Sequence, residues 1–195
     1  MFNKGVISSI VLGIICLSGI MIYADSVDVP VDVQSNMLLR TLGYDRAILK
    51  KDGDEVRIGI LYNENNTESM KAFEIAGDWL YEQKSAGRKI GNKNLKFTGM
   101  SYYNEAGLKS MIENLDVSVL YVTPGNEENL IAISNVANSK EILTFGGRRD
   151  YVAHGLAIGV EMEAGKPRVI INLANAKTQG ADFKAEFLKV AKVVN

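Results

Sequence analysis

Val56-Arg57-Ile58-Gly59-Ile60-Leu61-Tyr62 is an almost wholly apolar run, followed at once by the polar stretch Asn63-Glu64-Asn65-Asn66-Thr67. A strand that is apolar at nearly every position has no face left for water. It suits a parallel strand covered by helices on both sides. Val117-Ser118-Val119-Leu120-Tyr121-Val122 repeats the pattern and is closed by Thr123-Pro124-Gly125. Residues 95–100 and 141–145 read as two further strands. The segments between them have helical spacing. Residues 68–84 carry Met70, Phe73, Ile75, Ala76, Trp79 and Leu80 on or near one side, and Asn66 or Thr67 is placed to cap them. Residues 105–115 put Leu108, Met111, Ile112 and Leu115 at i, i+3, i+4 and i+7. Residues 127–138 read as another helix. Strands and helices alternating over short connections predict a mostly parallel sheet between helical layers.

Outward from this centre the pattern changes. Before it, residues 31–49 read as one helix, with Val33, Met37, Leu38, Leu42 and Ile48 near helical spacing and Gly43 weakening its middle. After it, residues 156–162 and 168–173 read as two strands joined by Glu163-Ala164-Gly165-Lys166-Pro167, a hairpin signal. Residues 182–193, with Phe183, Phe187, Leu188 and Val190, read as a closing helix. The expected class is α/β: a three-layer open sheet, parallel in the middle, with a C-terminal antiparallel hairpin and a closing helix.

The first two dozen residues differ from the rest. Lys4 is the only charged side chain before Asp25, and residues 6–23 are apolar, small or hydroxylic. A positive start, an apolar core and a small residue at the exit describe a secretory signal peptide over residues 1–24, cleaved after Ala24. That leaves one α/β domain over residues 25–195. Two alternatives remain at this point. Residues 6–23 approach the ~20 needed for an uncleaved membrane anchor. Lipidation at Cys16 is the other, although Ile14 and Ile15 are bulky where small residues are needed. Cys16 is the only cysteine, so the chain after residue 24 carries no thiol to mispair in an oxidising compartment. The formal net charge of -1, with scattered basic residues, argues against nucleic acid and anionic membrane as partners. The expected location is the periplasm.

Absent motifs decide most of the chemistry. His154 is the only histidine, which excludes a Cys/His zinc site. The sequence contains no G-x-S-x-G, no G-x-x-x-x-G-K-[ST] and no G-x-G-x-x-G after the first strand. No catalytic residue, metal or cofactor is therefore expected. Asp150 and His154 are four apart, but a histidine beside the turn glycine Gly155 is the plainer reading. Glu161 and Glu163 share one face of a hairpin strand, expected to be the solvent face.

In open α/β sheets, ligands gather outside the carboxyl ends of the strands. The candidate ligand- or partner-binding residues lie in three loops there: Asn63 and Asn65; Thr123 and Gly125; and Gly146, Gly147, Arg148, Arg149 and Tyr151. Two glycines let a backbone approach closely, and two arginines can hold a carboxylate or phosphate. The alternative is a plain glycine turn with solvated arginines. Glu127 and Glu128 suit the dipole of the helix they open and would repel an anion placed there. Tyr102, Tyr103 and Tyr121 are either stacking platforms or core and rim packing.

The C-terminal half has a recognisable cadence. Glu141-Ile142-Leu143-Thr144 leads into a glycine-containing turn. Tyr151-Val152-Ala153-His154-Gly155-Leu156-Ala157-Ile158-Gly159 follows, then Arg168-Val169-Ile170-Ile171-Asn172-Leu173-Ala174-Asn175-Ala176, and last the helix from Phe183 to Ala191. With Met37-Leu38-Leu39 and Ile58-Gly59-Ile60-Leu61-Tyr62, this order resembles the YfiR/HmsC family of periplasmic proteins over residues 33–194. Gly155, Asn172, Leu188 and Ala191 fall on its characteristic positions. The resemblance implies a periplasmic, non-enzymatic regulator or sensor. Its partner would be the outer domain of a membrane signalling protein such as a diguanylate cyclase, whose cyclic-di-GMP synthesis it restrains, and members of the family often act as homodimers. Two departures stand out. The family's disulfide cysteines are missing, and its Trp-Pro after the first helix is replaced near Tyr44-Asp45-Arg46. Residues 56–63 with their polar loop also resemble the first strand of solute-binding proteins, which leaves a single-lobed small-molecule receptor as the alternative.

Overall fold

The computed structural model describes residues 28–194. The expected signal peptide, residues 1–24, and its alternatives of an anchor or a lipidated Cys16 lie outside the described residues. The described residues open with α1 (Val31–Leu42) and α2 (Arg46–Lys50). It continues through β1 (Glu55–Tyr62), α3 (Thr67–Ser85), a short β2 (Lys89–Ile90), β3 (Lys93–Ser101), α4 (Glu105–Leu115), β4 (Val119–Val122), α5 (Leu130–Lys140) and β5 (Leu143–Gly146). After α6 (Arg149–Ala153) come β6 (Ile158–Glu163), β7 (Lys166–Asn172), α7 (Leu173–Thr178), α8 (Ala185–Val190) and β8 (Lys192–Val194).

The strands form one eight-stranded sheet in the order β2-β3-β1-β4-β5-β6-β7-β8. β3, β1, β4, β5 and β6 run parallel, as the apolar runs require. β6 and β7 form the expected antiparallel hairpin, whose turn is tighter than the sequence suggests. Ala164 and Gly165 both have positive φ, at 50° and 75°, the conformation of a two-residue turn whose twist matches the strands.

Strict alternation along the central strands feeds two cores. Ile58 and Ile60 of β1, Val119 and Tyr121 of β4, and Leu143 and Phe145 of β5 meet Leu38, Leu39 and Leu42 of α1, Ala76 and Leu80 of α3, and Phe187 of α8. Leu61, Leu120 and Val122 point the other way, onto Leu108 and Ile112 of α4, Leu130 and Ile133 of α5, and Tyr151 of α6. At Gly59 a Cβ would lie 2.4 Å from the Met100 sulfur, so this strand glycine makes room for core packing.

Several expected elements differ. The single helix over residues 31–49 is two. α1 ends where the Gly43 N–H bonds the Leu39 carbonyl and the Tyr44 N–H bonds the Thr41 carbonyl, and the buried Asp45 carboxylate caps α2 by accepting from the Ala47 N–H at 2.9 Å. The closing helix over residues 182–193 shrinks to α8. Phe183 forms a bridge with Asp45, and residues 192–194 become β8 because β7 offers a free edge to their β-branched side chains. The helix expected over 127–138 begins as a 3-10 turn, Glu127–Asn129, before α5. Glu161 is not on a solvent face. Its side chain is 11% exposed and lies 3.0 Å from Arg149 and 2.7 Å from Lys192. No helix among the described residues is long and apolar enough to cross a membrane.

Candidate functional site

The chain leaves β1 to build β3 on one side, with α3 over one face, and then returns across to β4 with α4 on the other face. The order of connection reverses between β1 and β4. That crevice is the switch point at which open α/β sheets usually receive ligands.

Here the crevice is closed by the chain's own side chains. Asn66 caps α3 by accepting from the Ser69 N–H at 3.0 Å, which sets Ser69 over the strand ends. The Ser69 hydroxyl accepts from the Asn63 N–H at 2.9 Å and lies 2.7 Å from the Thr123 hydroxyl. Thr123 donates to the Leu61 carbonyl at 3.0 Å. Asn126 donates to the Thr123 carbonyl at 3.1 Å. Ser69, Thr123 and Asn126 are all fully buried. The Asn126 amide oxygen is buried with no partner among the described residues; the other hydrogen bonds of the knot tie the strand ends together and fill the crevice. Gly125 belongs to the same knot. Its φ of +82° and its close approach to the Asn66 side chain exclude a Cβ, and its N–H reaches the Glu127 carboxylate at 3.2 Å. Asn65 is exposed, with its N–H on the Asn63 side chain at 3.0 Å.

Tyr151 joins this interior. It is fully buried, and its hydroxyl donates to Glu127 at 2.6 Å. Burial opposes the charge on Glu127, but the Tyr151 hydroxyl and the Gly125 N–H outweigh it and hold the carboxyl below its ordinary range. Burial beside that carboxylate pushes the Tyr151 phenol well up. Gly146 lies under the same ring, with room for no Cβ. Tyr121 is likewise buried, in the core rather than on a stacking face.

The open site lies one strand over. A cleft of about 470 Å³ sits beyond the carboxyl ends of β5 and β6. Gly147, Arg148 and Arg149 line it, as do Asp28, Asp150 and Glu161. Val29, Val160 and Met162 supply an apolar floor. Arg148 is half-buried, 3.2 Å from Asp150 and 3.8 Å from Asp28. Burial opposes its charge, and the two carboxylates more than offset it, so its pKa rises. Arg149 is more exposed and pairs with Glu161 at 3.0 Å. Two guanidinium groups and three carboxylates thus rim one apolar hollow. Gly147 has a different job from a ligand contact. A Cβ there would lie 1.9 Å from the Gln34 amide oxygen, and that amide bridges the Tyr121 hydroxyl and the Val29 carbonyl, each at 2.6 Å.

The nine candidate residues therefore divide. Arg148, Arg149 and Gly147 come together at the cleft. Asn63, Thr123, Gly125, Gly146 and Tyr151 build the closed knot beside it, and Asn65 stays exposed in the loop outside both. Sequence reasoning missed Asp28 and Met162 as lining and Ser69, Asn126 and Glu127 as the knot. Glu161 had a usable signal, since the residue after the buried stretch of a parallel strand stands at its carboxyl end. The pair of Asp150 and His154 is a backbone contact: the ring Nδ1 of exposed His154 lies 2.8 Å from the Asp150 carbonyl oxygen. No cluster of three or more metal-ligating side chains occurs among the described residues.

Comparison with known proteins agrees with the fold. The chain is similar to a conserved domain protein from Vibrio cholerae, with a TM-score of 0.62 and 15% identity over 85% of this chain and 60% of that one. It is also similar to the ligand-free, open form of a substrate binding protein with adhesive properties from Clostridium difficile, with a TM-score of 0.56 and 17% identity over 86% of this chain and 61% of that one. A third is the ABC domain in complex with L-Trp from Streptococcus pneumonia, with a TM-score of 0.55 and 13% identity over 80% of this chain and 61% of that one. At these identities the likeness is one of fold, and the chain spans about 60% of the length of these solved proteins. No curated protein matches. The YfiR/HmsC-like family profile matches residues 47–192, from α2 to the start of β8. The chain belongs to the YfiR/HmsC-like family.

Proposed function

We propose that this chain is a periplasmic, non-enzymatic regulatory binding protein whose partner is the outer domain of a membrane signalling protein such as a diguanylate cyclase. One observation carries the reading. The crevice where such a sheet would enclose a small ligand is filled by Ser69, Thr123 and Asn126, while the charged cleft beside it stands open to solvent. Arg148, Arg149, Asp28, Asp150 and Glu161 present both signs of charge over a short apolar floor, which suits recognition of a protein surface by charge complementarity. Family membership supports the regulatory role and the compartment.

The test pairs a phenotype with a contact. Deleting the gene raises cellular cyclic-di-GMP, and the purified protein recovers a membrane cyclase from solubilised membranes. The double variant Arg148→Glu, Arg149→Glu folds, yet recovers none and fails to restore the wild-type level. Unchanged cyclic-di-GMP on deletion, together with no signalling protein recovered, removes the proposal.

A second reading has support in the cleft itself. Its volume falls within the range of about 300–1,000 Å³ typical of small-molecule sites, and two proteins of similar fold are a substrate binding protein and a domain in complex with L-Trp. Under this reading the chain is a single-lobed small-molecule receptor. A rise in melting temperature with one class of amino acid, sugar or anion, lost in Arg148→Ala, favours it.

A further inference from the structure

A second concavity, of about 220 Å³, lies between α1, the start of β7 and α8, and shares no lining residue with the cleft. Its floor is aromatic. Tyr44 stacks on Phe187 with ring centroids 5.1 Å apart and planes 9° apart, and Phe187 rests on Phe183 at 5.2 Å. Met37, Val169 and Val190 complete the apolar surface. Tyr44 stays 39% exposed and Val190 67% exposed, while Phe187 is buried beneath them, so one aromatic ring and an aliphatic rim face water together. Exposed apolar surface of this kind marks interaction sites in soluble proteins.

Two further features say what covers it. The first is charge. Arg40 and Arg168 line the groove and none of its lining residues is acidic. Lys184 adds a third cation, 5.9 Å from the centre of the Tyr44 ring. Arg168 shares its charge with Glu163, whereas Arg40 is exposed and makes no ion pair among the described residues. The second is an unmet hydrogen bond. Thr41 lines the same groove, and its hydroxyl is buried with no partner among the described residues. A buried hydroxyl left unpaired is destabilising, and a polar group that reaches it on docking relieves that cost.

We propose that this groove docks an extended segment of a protein partner that carries a large apolar side chain next to an Asp or Glu. The apolar side chain covers the Tyr44–Phe187 stack, and the carboxylate meets Arg40. Aromatic anchors beside an arginine are the usual composition of an interface hot spot. The groove and the charged cleft are separate surfaces, so this proposal stands or falls independently of the function assigned to the cleft.

The experiment is an NMR titration of the full exported protein with three synthetic peptides. They share the frame Ser-X-Leu-Phe-X-Leu-Ser, with X as Glu, Gln or Lys. The Glu peptide is expected to shift the amide signals of Met37, Arg40, Tyr44, Val169 and Val190, and to bind about tenfold tighter than the Lys peptide, with Gln between them. Arg40→Glu reverses that order, and Val190→Asp abolishes binding of all three. Both side chains are exposed, and unchanged melting curves confirm that the variants fold. Equal binding of the three peptides, shifts confined to the cleft, or no shift overturns the proposal. So does concentration-dependent self-association abolished by Val190→Asp, which assigns the groove to a second copy of the chain.

Discussion

Gln34 is one side chain that holds three parts of the molecule. It lies on α1, almost wholly buried, and its amide joins the Tyr121 hydroxyl on β4 to the Val29 carbonyl just before α1. Gly147 leaves the space that the amide occupies. Gly147→Ala is therefore expected to displace Gln34 and leave buried groups unpaired, at a cost of about 1–3 kcal/mol in urea unfolding. In a Gln34→Ala background the obstruction is gone, so the same change should cost far less. Equal costs in the two backgrounds contradict the account. This residue pair also measures what the sequence could tell. Gly147 looked like a place for a ligand's backbone approach, because a glycine after a strand signals closeness without naming what comes close. The partner is 113 positions away in the chain and of a residue type with no positional signature.

At the scale of elements, the joint between α1 and α2 is clasped to the C-terminal segment. One oxygen of Asp45 accepts from the Ala47 N–H at 2.9 Å and from the Asp182 N–H at 3.0 Å, and the other is buried without a partner among the described residues. Arg46 closes the clasp on Asp182 at 2.8 Å. Burial is the largest influence on the Asp45 carboxyl and raises its pKa, against the backbone N–H groups that lower it. The sign of the linkage follows. A folded-state pKa above the unfolded one makes this group's contribution complete below the ordinary carboxylate range, and that contribution is lost as pH rises through the folded value. Asp45→Asn keeps an acceptor and cannot ionise. Its melting temperature relative to wild type should climb as pH rises from the ordinary carboxylate range towards the raised folded value and level beyond it. A difference that is flat or falls across that window refutes the linkage.

The same joint explains why the ends of the fold were read less well than its middle. β1, β3 and β4 are visible in the sequence because an apolar run between polar loops is a local pattern. The break after Leu42 depends on Asp45 meeting Asp182 across a separation of 137 residues, which no window of helical spacing contains. β8 depends in the same way on the edge that β7 leaves free. The hairpin was legible because its turn chemistry, Ala164-Gly165, is local.

For the whole molecule, the sheet has a seam. β1 and β3 share eight register pairs, whereas β5 and β6 share one, Phe145 with Ile158. The cleft opens at the carboxyl end of that seam, spanned by the Arg149–Glu161 contact. What closes the other end is Gln179, buried after α7. Its oxygen accepts from the Thr144 N–H at 2.9 Å and the Thr144 hydroxyl at 2.7 Å. Its nitrogen donates to Asn138 at 3.0 Å and to the Gly155 carbonyl at 3.3 Å. Thr144 in turn accepts from the Ala157 N–H at 2.8 Å. One amide thus ties β5, α5 and the entry to β6 where the ladder itself is thin. Gln179→Leu keeps most of the volume and leaves the Thr144 N–H buried and unpaired, which is expected to cost about 1–3 kcal/mol. The loss should be local before it is global. In native-state hydrogen exchange, the Thr144 and Ala157 amides should speed up by roughly tenfold or more, and by a larger factor than amides in β1 and β3. If all these amides speed up by one common factor, the seam is not a separate unit and the cleft sits on a sheet that opens only as a whole.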